Sequence, residues 1–240
     1  MTMDDGNRET LIGKVVLPGD RVLPIPDSGY IRVGPGLHQQ GDFLLSSKPG
    51  LVKETSTGKV WMQGIQKRFI PAVDDLVIGV ITERHGESFN VDIRAPFLAV
   101  LPMLSFEGAT RRNRPNLQPG DVVYARVEVA HRDMDPTLTC VDAGGKANGL
   151  GHLKGGYIFT CNTYLSRRLL ARPPCAVLES LGSALKFELA VGMNGQVWVD
   201  SERPELTILV SNAILDSELK SDGAVKVSVS KLLKLHRTAC

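Results

Sequence analysis

The sequence is poor in cysteine, in aromatic residues and in net charge. Its 240 residues include four cysteines, which are scattered without a Cys-x-x-Cys pair. Zinc clusters need closely paired ligands and secreted disulfide scaffolds need denser cysteines, so neither class of protein is expected. We therefore predict free thiols in a reducing compartment, with no bound metal and no cofactor.

Long apolar runs are also missing. No segment approaches the roughly 20 apolar residues that cross a bilayer. The N-terminal sequence MTMDDGNRET is acidic and polar, unlike a signal peptide. These patterns predict a soluble intracellular protein that makes no membrane contact.

The small charge and the few aromatic rings limit how this chain could bind nucleic acid. The formal net charge is +2, and aromatic residues make up 5% of the chain. A protein that binds nucleic acid tightly and alone usually has a larger basic excess, and one that relies on stacking needs more rings. We expect contacts that are local and modest, or shared with partner chains.

Enzyme motifs are absent as well. The sequence has no His-Glu-x-x-His and no Gly-x-Ser-x-Gly, and Gly144-Gly145-Lys146 lacks the rest of a phosphate-binding loop. Acidic pairs such as Asp74-Asp75 are typical of turns that precede strands. We therefore predict that the chain is not an enzyme.

A small β-barrel is the clearest pattern that is present. Residues 77–81 and 89–93 are strand-like and flank the polar sequence Arg84-His85-Gly86-Glu87, and residues 122–129 form a later strand. Gly79 lies inside a strand, where it permits the bend that a small barrel needs. The segment predicts a barrel of the OB type, a fold that usually holds single-stranded nucleic acid along one face.

The segments before and after the barrel have different patterns of predicted secondary structure. Short strand-like runs separated by glycine and proline turns precede the barrel. After the barrel, the order of strand, two short helices, two strands and a helix is typical of an α+β domain with one covered sheet face. The fold class is thus multidomain and mainly β, with a C-terminal α+β domain. The predicted segments are a flexible N-terminus (1–12), a β-rich domain (13–70), the barrel (71–143), the α+β domain (150–218) and a basic C-terminal tail (219–240).

The strongest charge signal is Arg111-Arg112-Asn113-Arg114, between the third and fourth barrel strands. Arginines there could contact phosphates without reading sequence, although a solvated loop or a docking patch for an acidic partner would look the same. Phe89 could stack on a base, although an aromatic in so small a barrel is more often part of the core. The other candidates for nucleic-acid contact lie in or beside barrel loops, and they are Arg84, His85, Arg94, His131 and Arg132.

Gly192-Met193-Asn194-Gly195 invites comparison with the Gly-x-x-Gly loop that clamps nucleic acid in KH domains. Here the motif lies between two predicted strands, and Asn-Gly is the preferred pair of a tight hairpin turn. The loop also contains no lysine or arginine. We therefore predict a structural turn at Gly192, Asn194 and Gly195 within a KH-like fold.

The order of these segments resembles the cap subunits of the RNA exosome, and among them the ribosomal RNA-processing protein 40 family (exosome complex component 3). A β-rich domain, an S1-type OB fold and a KH-like domain with a Gly-x-Asn-Gly turn follow one another in that family. The resemblance covers roughly residues 14–218. The motifs that match are Leu17-Pro18-Gly19-Asp20, Gly34-Pro35-Gly36, the run from Arg68 to Ile81, Asn113-Arg114-Pro115-Asn116-Leu117, the run from Gly120 to Val127, and Gly192-Met193-Asn194-Gly195.

The resemblance implies a non-catalytic subunit. Such a subunit sits with two other cap subunits on a six-membered ring of RNase PH-like proteins and helps hold that ring together. Its barrel faces the entrance of a central channel. Single-stranded RNA passes there toward a separate 3′-to-5′ exonuclease, for RNA degradation and rRNA maturation. Arg111, Arg112 and Arg114 match the basic loop of the family. The implied locations are nucleus, nucleolus and cytoplasm. A free-standing RNA-binding protein and the paralogous KH-bearing cap subunit are the alternatives.

Overall fold

The computed structural model describes residues 10–26, 30–55, 57–64, 66, 68–131, 133–171 and 173–239, with side chains up to residue 234. The chain divides into two compact units, Met1–Ile65 and Gln66–Cys240. No helix in the part so described is long and apolar enough to cross a membrane.

The first unit is built of short strands in two small sheets, with orders β1-β6-β7-β3 and β2-β5-β4. Its core contains Val16, Val22, Val52 and Met62. Leu11 also packs against this core, and its N–H donates to the Val22 carbonyl at 3.0 Å, so the described end of the predicted flexible N-terminus is held in place. The strands are β1 (Val15–Val16), β2 (Arg21–Pro24), β3 (Arg32–Val33), β4 (Leu37–Gln40), β5 (Phe43–Ser46), β6 (Gly50–Glu54) and β7 (Lys59–Gln63).

The second unit begins with a closed five-stranded barrel. Its strand order is β12-β10-β9-β8-β11, and β11 also pairs with β12, which closes the ring. All pairs are antiparallel except β10 with β12. An added strand, β13 (Gly151–Leu153), pairs with β11 outside the ring. The barrel strands are β8 (Leu76–His85), β9 (Ser88–Asp92), β10 (Ala99–Pro102), β11 (Val122–Val129) and β12 (Thr137–Thr139).

Gly79 is needed for packing within the barrel. A Cβ atom there would lie 2.3 Å from Cγ1 of Val91, on the neighbouring strand β9. The local irregularity of β8 lies a little further on, because the register with β9 shifts between Ile81 and Glu83. The glycine therefore provides space for a side chain of the core, while the bulge after Ile81 provides curvature.

The KH-like domain follows as β14 (Tyr157–Thr160), α1 (Thr163–Leu169), α2 (Ala176–Gly182), β15 (Glu188–Val191), β16 (Gln196–Asp200) and α3 (Pro204–Asp216). The sheet is antiparallel with order β14-β16-β15. Leu165 and Leu169 of α1 are buried in its core, as their spacing predicts. Pro204 begins α3 at a position where its missing N–H costs no hydrogen bond.

A further helix, α4 (Asp222–Ala239), lies in the segment predicted as a basic tail. Its residues Val225 and Val229 are buried in the KH-like core, and Leu232 and Leu233 pack against the same cluster. The spacing of four between the two valines places them on one helix face. Packing of this face makes α4 part of the domain.

The predicted fold class is confirmed, since the unit from Gln66 onward has a mainly β barrel followed by an α+β domain. The exact segment boundaries stay predictions.

Candidate nucleic-acid interface

The β8–β9 hairpin marks one end of the barrel and carries two predicted contact residues. Arg84 and His85 end strand β8, and both side chains are exposed. Gly86 follows with φ 56°, a left-handed conformation that favours glycine in a tight turn. The hairpin therefore presents two basic groups at its tip.

The segment of residues 103–116, here called the arginine loop, lies beside that tip. Its apex is a turn of residues 110–113, here called the arginine turn. The Thr110 N–H donates to the Asn113 carbonyl, and the Asn113 N–H donates to Oγ1 of Thr110, both at 3.0 Å. Arg111 and Arg112 lie inside this closed turn with exposed side chains. A backbone bond and a bond to the Thr110 hydroxyl thus fix the turn, while its two guanidinium groups face solvent.

Contacts of Glu87 hold the arginine loop against the hairpin. The Met103 N–H donates to the Glu87 carbonyl at 2.9 Å, and Nη2 of Arg114 lies 3.1 Å from Oε1 of Glu87. The structure thereby brings Arg111, Arg112 and Arg114 to the same barrel end as Arg84 and His85. Sequence analysis missed Glu87, because its partner is 27 residues away.

The other predicted contact residues lie elsewhere. Arg94 follows the far end of β9, has φ 59°, and donates from Nη1 to Oγ1 of Thr160 in the KH-like domain at 2.6 Å. It lines a polar cleft of about 490 Å³ between barrel and KH-like domain. His131 is exposed in the loop after β11, at the same barrel end as Arg94. Arg132 lies outside the described residues.

Phe89 requires a correction. Its side chain has no exposed surface and belongs to the barrel core, together with Val91 and Leu101. A ring in this environment has no free face for a base. The interpretation of Phe89 as a core residue therefore replaces the prediction that it stacks on RNA.

Residues 192–195, here called the Asn194 turn, join β15 to β16 and face the barrel. Asn194 is 4% exposed, and its Nδ2 donates to the carbonyls of Ile78 at 2.7 Å and Ile93 at 2.9 Å. The Met193 N–H donates to the Leu76 carbonyl at 2.7 Å. The turn is bonded to the barrel and largely buried, unlike the exposed Gly-x-x-Gly loop that clamps nucleic acid in KH domains.

An apolar interface surrounds the Asn194 turn. Ile78 of the barrel is fully buried against Ala190 and Trp198 of the KH-like sheet. The Tyr124 hydroxyl donates to the Val191 carbonyl at 3.2 Å, and burial raises the pKa of this phenol. Barrel and KH-like domain therefore share a core, consistent with their place in one compact unit.

Acidic residues in the barrel loops are engaged in turns. Asp75 and Asp121 each accept a backbone N–H three residues earlier in the chain, at 3.0 Å and 2.7 Å. Asp142 accepts the N–H groups of Gly144 and Lys146. Among the residues whose placement is described, no cluster of histidine, cysteine and acidic side chains could hold a metal ion.

An apolar groove at the Arg94 end of the barrel was not predicted. It has a volume of about 450 Å³ and is lined by Ile70, Phe97, His131 and Met134, among others. Phe97 and Met134 are 60% and 63% exposed. The prolines Pro71, Pro96 and Pro136 also line the groove. Scattered exposed apolar residues are common, so the sequence alone does not indicate a groove here.

Comparison with known proteins agrees with this geometry. Residues 69–151 match the family model of the S1 domain of exosome complex component RRP40, and residues 156–205 match a KH domain. Fold and site thus define a protein that joins an S1 barrel to a KH domain. Exosome complex component rrp40 of Schizosaccharomyces pombe is 45% identical over 215 residues, which is 85% of this chain and 88% of that protein. The chain belongs to the exosome complex component RRP40 family, which confirms the resemblance seen in the sequence motifs.

More distant relatives extend the match. Exosome complex component RRP40 of Homo sapiens is 35% identical over 253 aligned positions, covering 93% of this chain and 91% of that protein. The crystal structure of a protein assigned as an exosome complex RNA-binding protein superposes with a TM-score of 0.59. It covers 72% of this chain and 100% of the other at 23% identity, a level at which the likeness shows the fold alone.

Proposed function

We propose that this chain is a non-catalytic cap subunit of the RNA exosome, whose barrel guides single-stranded RNA into a central channel. The exposed arginine turn of the S1 barrel carries the proposal. The guanidinium groups of Arg111 and Arg112 make no hydrogen bond or ion pair with any residue that the structure describes, so both remain available for phosphate groups. In a chain of this family, such a loop fits contact with passing RNA.

The proposed contact is weak and does not read sequence. Guanidinium groups bind phosphates of any sequence, and the resulting affinity falls steeply with salt. Phe89 is buried, and the neighbouring strand β10 carries no aromatic side chain for stacking. RNA that must slide past a channel entrance needs contacts of this kind, because tight binding would stop its movement.

Several contacts support a role without catalysis. The acidic residues in and beside the arginine loop serve structure, since Glu87 binds Arg114 and Oε2 of Glu107 accepts the Ala147 N–H. The RNA would then be cut by an associated 3′-to-5′ exonuclease. The proposed partners are the RNase PH-like ring subunits, the other cap subunits and this exonuclease, in nucleus, nucleolus and cytoplasm. RNA degradation and rRNA maturation are the proposed processes.

The test is a double variant, Arg111→Ala with Arg112→Ala, in the full chain. We expect roughly tenfold weaker binding to a fluorescent oligouridylate at low salt, because two phosphate contacts are lost. The slope of log affinity against log salt should fall by about 0.7 for each contact. The tagged variant should still purify with ring proteins, cap subunits and an exonuclease, as the wild type should.

The matched control is Lys186→Ala with Lys231→Ala, which removes the same charge from exposed positions of the KH-like domain. It should change RNA affinity by less than about twofold. Equal losses of RNA affinity in both double variants would mean that the arginine turn contributes only its positive charge and is not a specific contact site. Purification of the wild-type chain without ring proteins would overturn the cap-subunit proposal and favour a free-standing RNA-binding protein.

A further inference from the structure

Arg114 differs from its two neighbours because both sides of its guanidinium group are engaged. Nη2 lies 3.1 Å from Oε1 of Glu87, and Nε donates to the Arg111 carbonyl at 3.2 Å. Its side chain is 35% exposed. Arg111 and Arg112 lack such bonds among the described residues. The three arginines therefore divide into one that is bound to the protein and two that are free.

The bonds of Arg114 close the arginine loop at its C-terminal end. Glu87 already holds the other end, because its carbonyl accepts the Met103 N–H at 2.9 Å. One hairpin residue thus contacts the loop near both ends, by its backbone and by its side chain. The arginine turn lies between these contacts. Ser105 and Glu107 are held separately, because they accept the N–H groups of Cys140 and Ala147. Without the contact between Glu87 and Arg114, the part of the loop after Glu107 would regain conformational freedom, and ordering it on RNA would cost free energy.

We infer that Arg114 is a positioning residue, held by Glu87, that fixes the arginine turn so that Arg111 and Arg112 meet the RNA phosphates. The inference rests on the proposed function, and it removes Arg114 from the set of residues that contact RNA. A phosphate that approached Arg114 would come close to the Glu87 carboxylate, and the like charges would repel.

The direction in which RNA affinity changes when Glu87 loses its charge distinguishes a positioning role of Arg114 from direct RNA contact. Glu87→Ala removes a negative charge, so an Arg114 that contacts RNA would be released and would bind RNA more tightly. Positioning predicts the opposite. We expect Glu87→Ala to weaken oligouridylate binding about two- to fivefold, the range set by an exposed ion pair.

Arg114→Lys provides the second comparison. Lysine keeps the positive charge that a phosphate contact requires, but it cannot donate to Glu87 and to the Arg111 carbonyl in the same forked geometry. We expect a loss similar to that of Glu87→Ala. The exchanged pair, Glu87→Arg with Arg114→Glu, should bind within about twofold of the wild type, because the ion pair is restored.

The chain offers a closely matched control in Asp74→Asn. Arg126 and Asp74 also lie 3.1 Å apart, with side chains 28% and 74% exposed, against 35% and 72% for Arg114 and Glu87. This pair joins the start of β8 to β11, away from the arginine loop. Asn tolerates the left-handed φ of 69° at this position. The control changes the net charge as Glu87→Ala does, and we expect no loss of RNA affinity.

The rate of tryptic cleavage after Arg111 and Arg112 in the free protein measures the mobility of the arginine loop in the absence of RNA. Positioning predicts faster cleavage in Glu87→Ala and Arg114→Lys than in Asp74→Asn, because a released loop enters the protease more easily. Tighter or unchanged RNA binding by Glu87→Ala, relative to Asp74→Asn, would overturn the inference. Unchanged RNA affinity of Arg114→Lys would overturn it as well. If the Arg111 and Arg112 double variant binds RNA like the wild type, the proposed RNA contact itself fails, whatever the cleavage rates show.

Discussion

The arginine turn and the Asn194 turn are both four residues long and contain an asparagine, but they lie in opposite environments. Each turn is closed by a backbone hydrogen bond between its first and last residues. Asn113 is exposed, and the arginines beside it face solvent. Asn194 is buried, and it bonds two barrel carbonyls. The difference teaches that resemblance to an RNA-binding loop does not assign a function, since burial decides what the loop can touch.

The chemistry of the side chains explains the two outcomes. A guanidinium group is costly to bury without a partner, so a turn that contains two unpaired arginines stays on the surface. An amide is neutral and can satisfy several backbone groups at once, so it can fill a polar gap between two domains. The Asn194 turn stabilises the protein, whereas the arginine turn is available to a ligand.

The largest expected effect separates the two asparagines. Asn194→Ala should lower the free energy of unfolding by about 3–4 kcal/mol, because the carbonyls of Ile78 and Ile93 lose their donor inside the protein. Asn113→Ala should cost less than about 1 kcal/mol, because water replaces its bonds. Urea unfolding of both variants measures the difference. Equal costs would mean that the contrast in burial has no energetic meaning.

A smaller effect separates two glycines with similar backbone angles. Gly195 has φ 81° and Gly108, in the arginine loop, has φ 68°. Alanine should cost about 1 kcal/mol at Gly108, where the space around a Cβ is open. At Gly195 the Cβ would lie 2.5 Å from the Cys161 carbonyl oxygen, so we expect about 2–3 kcal/mol. Thermal unfolding of the matched pair tests this, and a cheaper Gly195→Ala would contradict the close approach.

The smallest effect concerns the core beneath the arginine loop. The Cys140 N–H donates to the Ser105 carbonyl of the loop at 2.9 Å, and burial raises the pKa of the Cys140 thiol to about 12 from an ordinary value of 9.0. The folded state keeps a proton that the unfolded state loses above pH 9.0, so this stability is lost as pH rises from 9.0 toward 12.

This linkage should cost about 1 kcal/mol between about pH 9 and about pH 10. Cys140→Ala lacks the titrating group and should show a weaker alkaline loss. Urea midpoints of both proteins at several alkaline pH values measure it. Identical pH dependence would show that the thiol is less buried than the barrel core implies.

Local patterns predicted much of the fold and part of the site. The spacing of Leu165 and Leu169 predicted the buried face of α1, and the charge of Arg111 and Arg112 predicted an exposed loop. The sequence also contains a signal for the buried face of α4, because Val225 and Val229 are four residues apart. We nevertheless predicted a tail for this segment.

Long-range partners could not be predicted in this way. Nothing near Asn194 in the sequence indicates that its acceptors lie 116 and 101 residues earlier. The same holds for Arg114, whose charge suggested RNA contact while its bond to Glu87 assigns it to the protein. Periodicity describes which face is buried, but it does not identify the polar atom that a side chain will meet.

The bonds of Asn194 also have a consequence for biosynthesis. The barrel carbonyls at Ile78 and Ile93 are made long before their donor, which follows 116 residues after the first of them. A ribosome adds about 5–20 residues per second, so the barrel would wait several seconds with these carbonyls hydrated. The interface between the two domains can close only once Asn194 has emerged. A chain that stops short of this residue would therefore expose the apolar surface around Ile78 to chaperones and proteases.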